Sequence, residues 1–289
     1  MAEVVIVTGA GGFVGRHVVR ALREAGCDVV EHQRADGDLA EGPPVWPPAA
    51  HVVHLAGRTF VPAAWSDPAP FRRDNVDATT HVLEYCRLTG ASMIHVSSYV
   101  YGTPVRLPID ERHPLDPFNP YAESKILAER AVQDYQRRFG VRATIVRPFN
   151  LFGPGQDARF LIPTIIRQAR DPARAAITLT DDRPRRDYLH VRDLAALIVL
   201  ALRAPLGDVY NAGSGESHSV RDIADRVGDL TGGRKPLQVT GPVRPNEILD
   251  VVADVSHAAA TLGWRPRIDL MEGLQDTIAS TACTESHST

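Results

Sequence analysis

Residues 3–19 read EVVIVTGAGGFVGRHVV. The β-branched apolar run from Val4 to Val7 predicts a buried strand ending at Thr8, and the apolar spacing from Phe13 onward predicts a helix to about residue 25. Between them stand Gly9, Gly12 and Gly15. In a strand-turn-helix unit the first glycine permits a sharp reversal, the second lets a diphosphate approach the backbone, and the third lets helix and strand pack closely. The unpaired N–H groups at Phe13, Val14 and Gly15 then point toward an anion at the positive end of the helix dipole. An ordinary glycine turn needs neither the strand before nor the helix after it. The context therefore favours a dinucleotide site.

Working outward, residues 28–32 read as the second strand, whose end selects the cofactor in dinucleotide folds. Gln33 and Arg34 stand there, Glu31 is out of phase, and Asp36 lies further along. With no ribose carboxylate in place, the reading is NADP or NAD, leaning to NADP. Residues 34–51 show no helical period, so the second crossover is trimmed. A third strand over 51–55 (HVVHL) ends in Leu55, Ala56 and Gly57, a small-residue opening against which a cofactor fits. Residues 58–73 carry prolines and two polar-aromatic clusters. A helix follows from Asn75, a candidate cofactor contact, to 88, with a face suited to a homodimer seam.

The fourth strand, 92–96, runs into SSYVYG, placing the hydroxyls of Ser97 and Ser98 at a strand's carboxyl end, where open α/β sheets bind ligands. A helix over 121–139 sets Tyr121 and Lys125 four residues apart on one face. A fifth strand over 143–147 precedes PFNLFGPGQ, too rich in Gly and Pro for a helix. From 160 the elements become short and mixed, and DDRPRRDYLH, residues 181–190, reads as a basic loop. The expected fold is α/β: a Rossmann-type doubly wound parallel sheet over 1–159 and 187–212, and a smaller mixed α/β substrate domain over 160–186 and 213–280. Residues 281–289 are expected to be a disordered tail.

The formal net charge of −3, with 23% charged residues, gives no electrostatic footprint for nucleic acid or a membrane surface. The 3 cysteines match no metal-ligand spacing, no run reaches the ~20 apolar residues of a membrane span, and the first residues read as a strand, not a leader. A soluble, cytoplasmic, metal-free protein is expected.

A free phenol titrates near roughly pH 10, so a tyrosine that exchanges protons near neutrality needs a cation beside it. Lys125 supplies one. With a nicotinamide ring at the same site, Tyr121 would exchange a proton with a sugar or alcohol oxygen while Ser97 hydrogen-bonds it.

The segments TGAGGFVG, HLAG, SSYVYG, NPYAESK, RPFNLFGPGQ, RRDYLHV, YNAGSGES and RPNE, in that order, resemble the extended short-chain dehydrogenase/reductases of the nucleotide-sugar epimerase and dehydratase group. The resemblance covers nearly the whole chain. It implies a catalytic triad of Ser97, Tyr121 and Lys125, with Asp38 and Leu39 flanking the adenine. It also implies a nucleoside diphosphate sugar substrate met by Ser98, Tyr99, Asn150, Arg186 and Arg244. Arg183 and Arg185 read as surface ion pairs. Dehydratases of the group carry Asp-Glu where this chain has Ser98 and Tyr99, which argues against 4,6-dehydration. The alternation from Ser97 to Tyr99 places Tyr99 on the sugar side if the strand continues. A C4 oxidoreductase remains, a 4-ketoreductase first and a 4-epimerase with retained NAD second. A non-catalytic dinucleotide sensor is the distant third.

Overall fold

The computed structural model describes residues 2–241 and 247–285. Strand β1 (Val4–Thr8) passes through the glycine turn into α1 (Phe13–Glu24), and β2 (Asp28–His32) follows. Helix α1 buries Gly15, Val18, Val19 and Leu22, the spacing that lays one helix face on a sheet. Only a single turn, Arg34–Asp36, forms before β3 (His51–His54), so this crossover is as lean as its composition predicts.

Next come α2 (Val61–Ser66), α3 (Ala69–Arg72) and α4 (Ala78–Thr89), with a π-helical turn, Arg73–Asp77, joining the last two. The proline-bearing stretch 58–73 is thus largely helical. Pro62 and Pro70 occupy first-turn positions, where no backbone N–H is needed, so they start helices instead of breaking them.

Strand β4 (Ser92–Val96), α5 (Pro120–Phe139) and β5 (Ala143–Pro148) match their expected bounds closely. Beyond them lie β6 (Asn150–Phe152), α6 (Leu161–Arg170), β7 (Ile177–Leu179), β8 (Arg185–His190), α7 (Val191–Arg203) and β9 (Val209–Ala212). The chain continues through β10 (Ser217–Ser219), α8 (Val220–Thr231), β11 (Leu237–Val239), α9 (Ser256–Leu262) and α10 (Leu270–Glu285). Two segments expected as loops are strands: β8 pairs with β6 in parallel and with β10 antiparallel. Their partners are far away in sequence, so no local pattern announces them, and the boundary expected at 187 falls inside β8. Residues 281–285, expected in the tail, extend α10.

The main sheet runs β2-β1-β3-β4-β5-β9, every pair parallel. Successive strands depart from β1 in opposite directions, opening a crevice at the carboxyl ends of β1 and β3. One face packs Val5 and Val7 against α1 and α7, and the other packs Ile6 and Val52 against Val82, Leu83 and Val132. A separate apolar cluster holds α6, β7 and α8 together through Ile165, Ile177 and Ile223.

Candidate active site

A cavity of about 950 Å³ opens along the carboxyl ends of the central strands, between the main sheet and the segment carrying α6 and β7. Its size suits a small-molecule site. The glycine turn lines one end. A Cβ on Gly9, whose φ is +68°, would stand 2.9 Å from the Ala56 nitrogen, and one on Gly15 would stand 2.1 Å from the Gly9 carbonyl oxygen. Side chains are excluded there, and Gly12 caps α1 with no side-chain acceptor. The first N–H groups of α1, which have no intrahelical acceptor, are placed to hold an anion. Phe13, Val14, Gly15, Gln33, Leu55 and Ala56 line the same cavity, as do Arg34 and Gly57. These residues fit a dinucleotide.

The turn is braced from below. The Thr8 hydroxyl oxygen accepts the N–H groups of Leu55 and Ala56, both at 3.1 Å, and so gives its own proton to His54 Nδ1 at 2.8 Å. His54 Nε2 then donates to Thr79 Oγ1 at 3.1 Å, and that hydroxyl donates to the Asn75 carbonyl at 2.6 Å. This direction requires a neutral imidazole. Burial, with Lys125 nearby, agrees by pushing the His54 pKa down to about 3.

Helix α5 begins at the Asn119 cap, whose side chain accepts the Ala122 N–H at 2.7 Å, with Pro120 in the first turn. Its first turn therefore presents Tyr121 to the cavity, and Lys125 follows one turn on. Lys125 Nζ donates to the Val96 carbonyl at 2.7 Å. Burial pushes its pKa down to about 8, opposed by the Glu129 carboxylate on the next turn. Burial raises the Tyr121 pKa, and the Ser98 hydroxyl against the phenol partly offsets that rise. Ser97 lines the cavity with a buried Oγ that has no partner among the described residues. A buried hydroxyl left unpaired costs roughly 1–3 kcal/mol, which a ligand oxygen would recover.

Several expected site residues stand elsewhere. Strand β4 stops at Val96, which breaks the alternation argument for Tyr99. The Tyr99 hydroxyl donates to the Gly102 carbonyl, and its ring packs on Tyr101, Phe118 and Phe149, so it is packing behind the cavity wall. Asn75 does not line the cavity: its amide nitrogen donates to the Arg58 carbonyl and to Ser124 Oγ. Asp38 is spent on Arg34, Arg73 and the Ala40 N–H, and Leu39 is buried in the core. Asn150 and Arg186 do line the cavity. Arg186 binds the Ile248 carbonyl and Glu247, each at 2.6 Å. Arg183 pairs with Asp181 and Arg185 bonds the Ser217 carbonyl. Arg244 lies outside the described residues.

Sequence reasoning missed the Thr8–His54 brace, the buried Glu129–Arg147 pair at 2.6 Å and the Arg58–Asp74 pair at 2.7 Å. Their partners lie on different elements, and only the position of Arg58 directly after Gly57 could have drawn attention to it.

The family described as "NAD dependent epimerase/dehydratase family" matches residues 5–213. The GDP-6-deoxy-D-mannose reductase of Pseudomonas aeruginosa is 33% identical, over 95% of this chain and 96% of that protein. A UDP-glucose 4-epimerase of Azospirillum brasilense is 30% identical, over 93% and 89%. The solved structure of RMD from Pseudomonas aeruginosa complexed with NADPH superposes with a TM-score of 0.87 at 28% identity, covering 96% of this chain and 99% of that one.

Proposed function

Because the chain belongs to the NAD-dependent epimerase/dehydratase family and is an NAD(P)-dependent enzyme of nucleotide-sugar chemistry, we propose that it is an NADPH-dependent 4-ketoreductase of a nucleoside diphosphate sugar. The observation that carries this reading is the end of β2, where Gln33 and Arg34 line the cavity and no carboxylate does. A carboxylate there would hold the ribose hydroxyls of NAD and repel a 2′-phosphate. The similar reductase solved with NADPH supports the same choice.

When bound, the nicotinamide cofactor supplies the hydride for the sugar carbon. Tyr121 gives its phenolic proton to the C4 oxygen, and the Lys125 ammonium steadies the phenolate left behind. The otherwise unpaired Ser97 hydroxyl, with Ser98 beside Tyr121, holds that oxygen in line. Arg186, fixed by Glu247, meets the substrate diphosphate, for which paired guanidinium donors are suited, and the family resemblance assigns Arg244 to the same group. The smaller unit around α6, β7 and α8 forms the sugar-nucleotide side of the cleft. Exposed Leu88 on α4 and Phe139 at the end of α5 support a homodimer seam there. No helix among the described residues is long and apolar enough to cross a membrane, which accords with a cytoplasmic enzyme.

The second reading, a 4-epimerase, is favoured by the likeness to UDP-glucose 4-epimerases. A panel of nucleoside diphosphate sugars and their 4-keto forms, each offered with NADPH and with NADH and followed by product analysis, decides between them. Net cofactor oxidation with 4-keto substrates alone supports the reductase. Interconversion of 4-hydroxy epimers without added cofactor would replace it.

A further inference from the structure

Arg58 follows the small-residue opening at the end of β3 and lines the cavity together with Arg34 from the end of β2. Both guanidinium groups rest on one oxygen, Asp74 Oδ2, Arg34 through Nη1 at 3.1 Å and Arg58 through Nε at 2.7 Å. Asp74 is buried, with 7% of its side chain exposed, and Arg73 Nη1 reaches its other oxygen at 3.3 Å. Asp38 takes the remaining Nη groups of Arg34 and Arg73. The exposed Glu41 lies 3.7 Å from Arg73.

The two cavity arginines are thus committed to different degrees. Arg34 spends both terminal nitrogens on carboxylates. Arg58 spends only Nε, and neither of its terminal nitrogens has a partner among the described residues. Its backbone is fixed as well: the Asn75 side chain accepts the Arg58 N–H at 2.8 Å and donates to the Arg58 carbonyl at 3.2 Å. A guanidinium held at its inner nitrogen and clamped at its backbone presents its outer fork with little ordering entropy left to lose.

We propose that Arg58, positioned by Asp74 and Asn75, is a specificity-determining residue whose outer guanidinium nitrogens grip the 2′-phosphate of the adenosine ribose. The assignment rests on the NADP reading above and shifts the principal contact from Arg34 to Arg58. Ribose hydroxyls in dinucleotide folds sit at the end of the second strand, and sharing Asp74 with Arg34 brings the Arg58 fork to that place. Arg34 adds charge and keeps Asp74 oriented.

The test is calorimetric titration of the full chain with adenosine 2′,5′-bisphosphate and with adenosine 5′-monophosphate, probes that differ only in the 2′-phosphate. Wild type is expected to prefer the bisphosphate by about tenfold or more, the scale of a charge-assisted hydrogen bond. Arg58→Met, which keeps the aliphatic stem, should lose most of that preference while holding its 5′-monophosphate affinity within about twofold. Arg58→Lys should fall between them, and both variants are checked by circular dichroism. If Arg58→Met keeps the wild-type preference, the Arg58 assignment fails and the NADP reading stands on Arg34. If it weakens both probes equally, Arg58 serves the adenosine and the assignment again fails. Equal binding of the two probes by wild type would overturn both the assignment and the NADP reading.

Discussion

Lys125 hangs its ammonium on the carbonyl of Val96, 2.7 Å away, at the residue where β4 gives way to Ser97 and Ser98. The contact ties α5 to the strand end that carries the hydroxyls, so the three side chains proposed to be catalytic are set by one junction of α5 with β4. The cation is buried, and its pKa is lowered from an ordinary lysine value to about 8. Tyr121 is displaced the other way and keeps its proton. The ammonium is therefore the group lost first as pH rises, and kcat/KM should hold below pH 8 and fall through about pH 8. A profile flat to pH 10 would show a lysine with ordinary affinity for its proton.

Tyr121→Phe removes the transferable proton and leaves the ring. Turnover should drop by about 10²-fold or more, with the cofactor dissociation constant changed less than about twofold. Ser97→Ala should raise KM and lower kcat without loss of thermal stability, because it deletes a hydroxyl that has no partner among the described residues. A Tyr121→Phe enzyme with more than about a tenth of wild-type turnover would remove Tyr121 from proton transfer.

Behind Lys125, Glu129 and Arg147 form a buried pair at 2.6 Å, and Arg147 also donates to the Tyr101 hydroxyl at 3.0 Å and the Glu111 carbonyl at 3.2 Å. Removing one partner leaves a buried charge uncompensated. Glu129→Gln should destabilise the fold by about 3–5 kcal/mol in urea unfolding, whereas Glu129→Leu with Arg147→Met should recover most of that loss. A single variant within about 1 kcal/mol of wild type would show that water reaches the pair.

Buried histidines, His54 and His190 among them, make acid unfolding steeper. His54 and His190 stay neutral in the fold down to about 3 and about 4, both held down chiefly by burial. An unfolded chain protonates them near pH 6.5, so it binds more protons than the fold does, and stability is lost as pH falls from about 6.5 toward 4. The slope should be about 1.4 kcal/mol per pH unit for each histidine, and His190→Asn should lessen it by one proton. A His190→Asn variant with the same stability slope as wild type between pH 6.5 and 5 would contradict the neutral assignment.

Much of the parallel sheet was legible because its signals are local. The run Val4 to Val7, the glycines that follow and the Tyr121–Lys125 spacing each announce their element within a dozen residues. What escaped the sequence was non-local. Strand β8 exists because β6 and β10 flank it, and nothing within Arg185 to His190 states that. Tyr99 was misplaced because β4 ends at Val96, whose carbonyl is taken by Lys125, 29 residues further along the chain. Arg58 and Asp74 are 16 residues apart, and only the fold brings them onto Arg34.

In the proposed reaction, hydride passes from added NADPH to the sugar C4. Its most direct measurement uses NADPH deuterated at the transferable position of the nicotinamide, turned over with a nucleoside diphosphate 4-keto sugar and analysed by mass spectrometry and NMR. The account predicts one deuterium per product molecule, at C4 only, with one NADPH oxidised for each product formed. Product lacking deuterium, or 4-hydroxy epimers interconverted with no NADPH consumed, would contradict it.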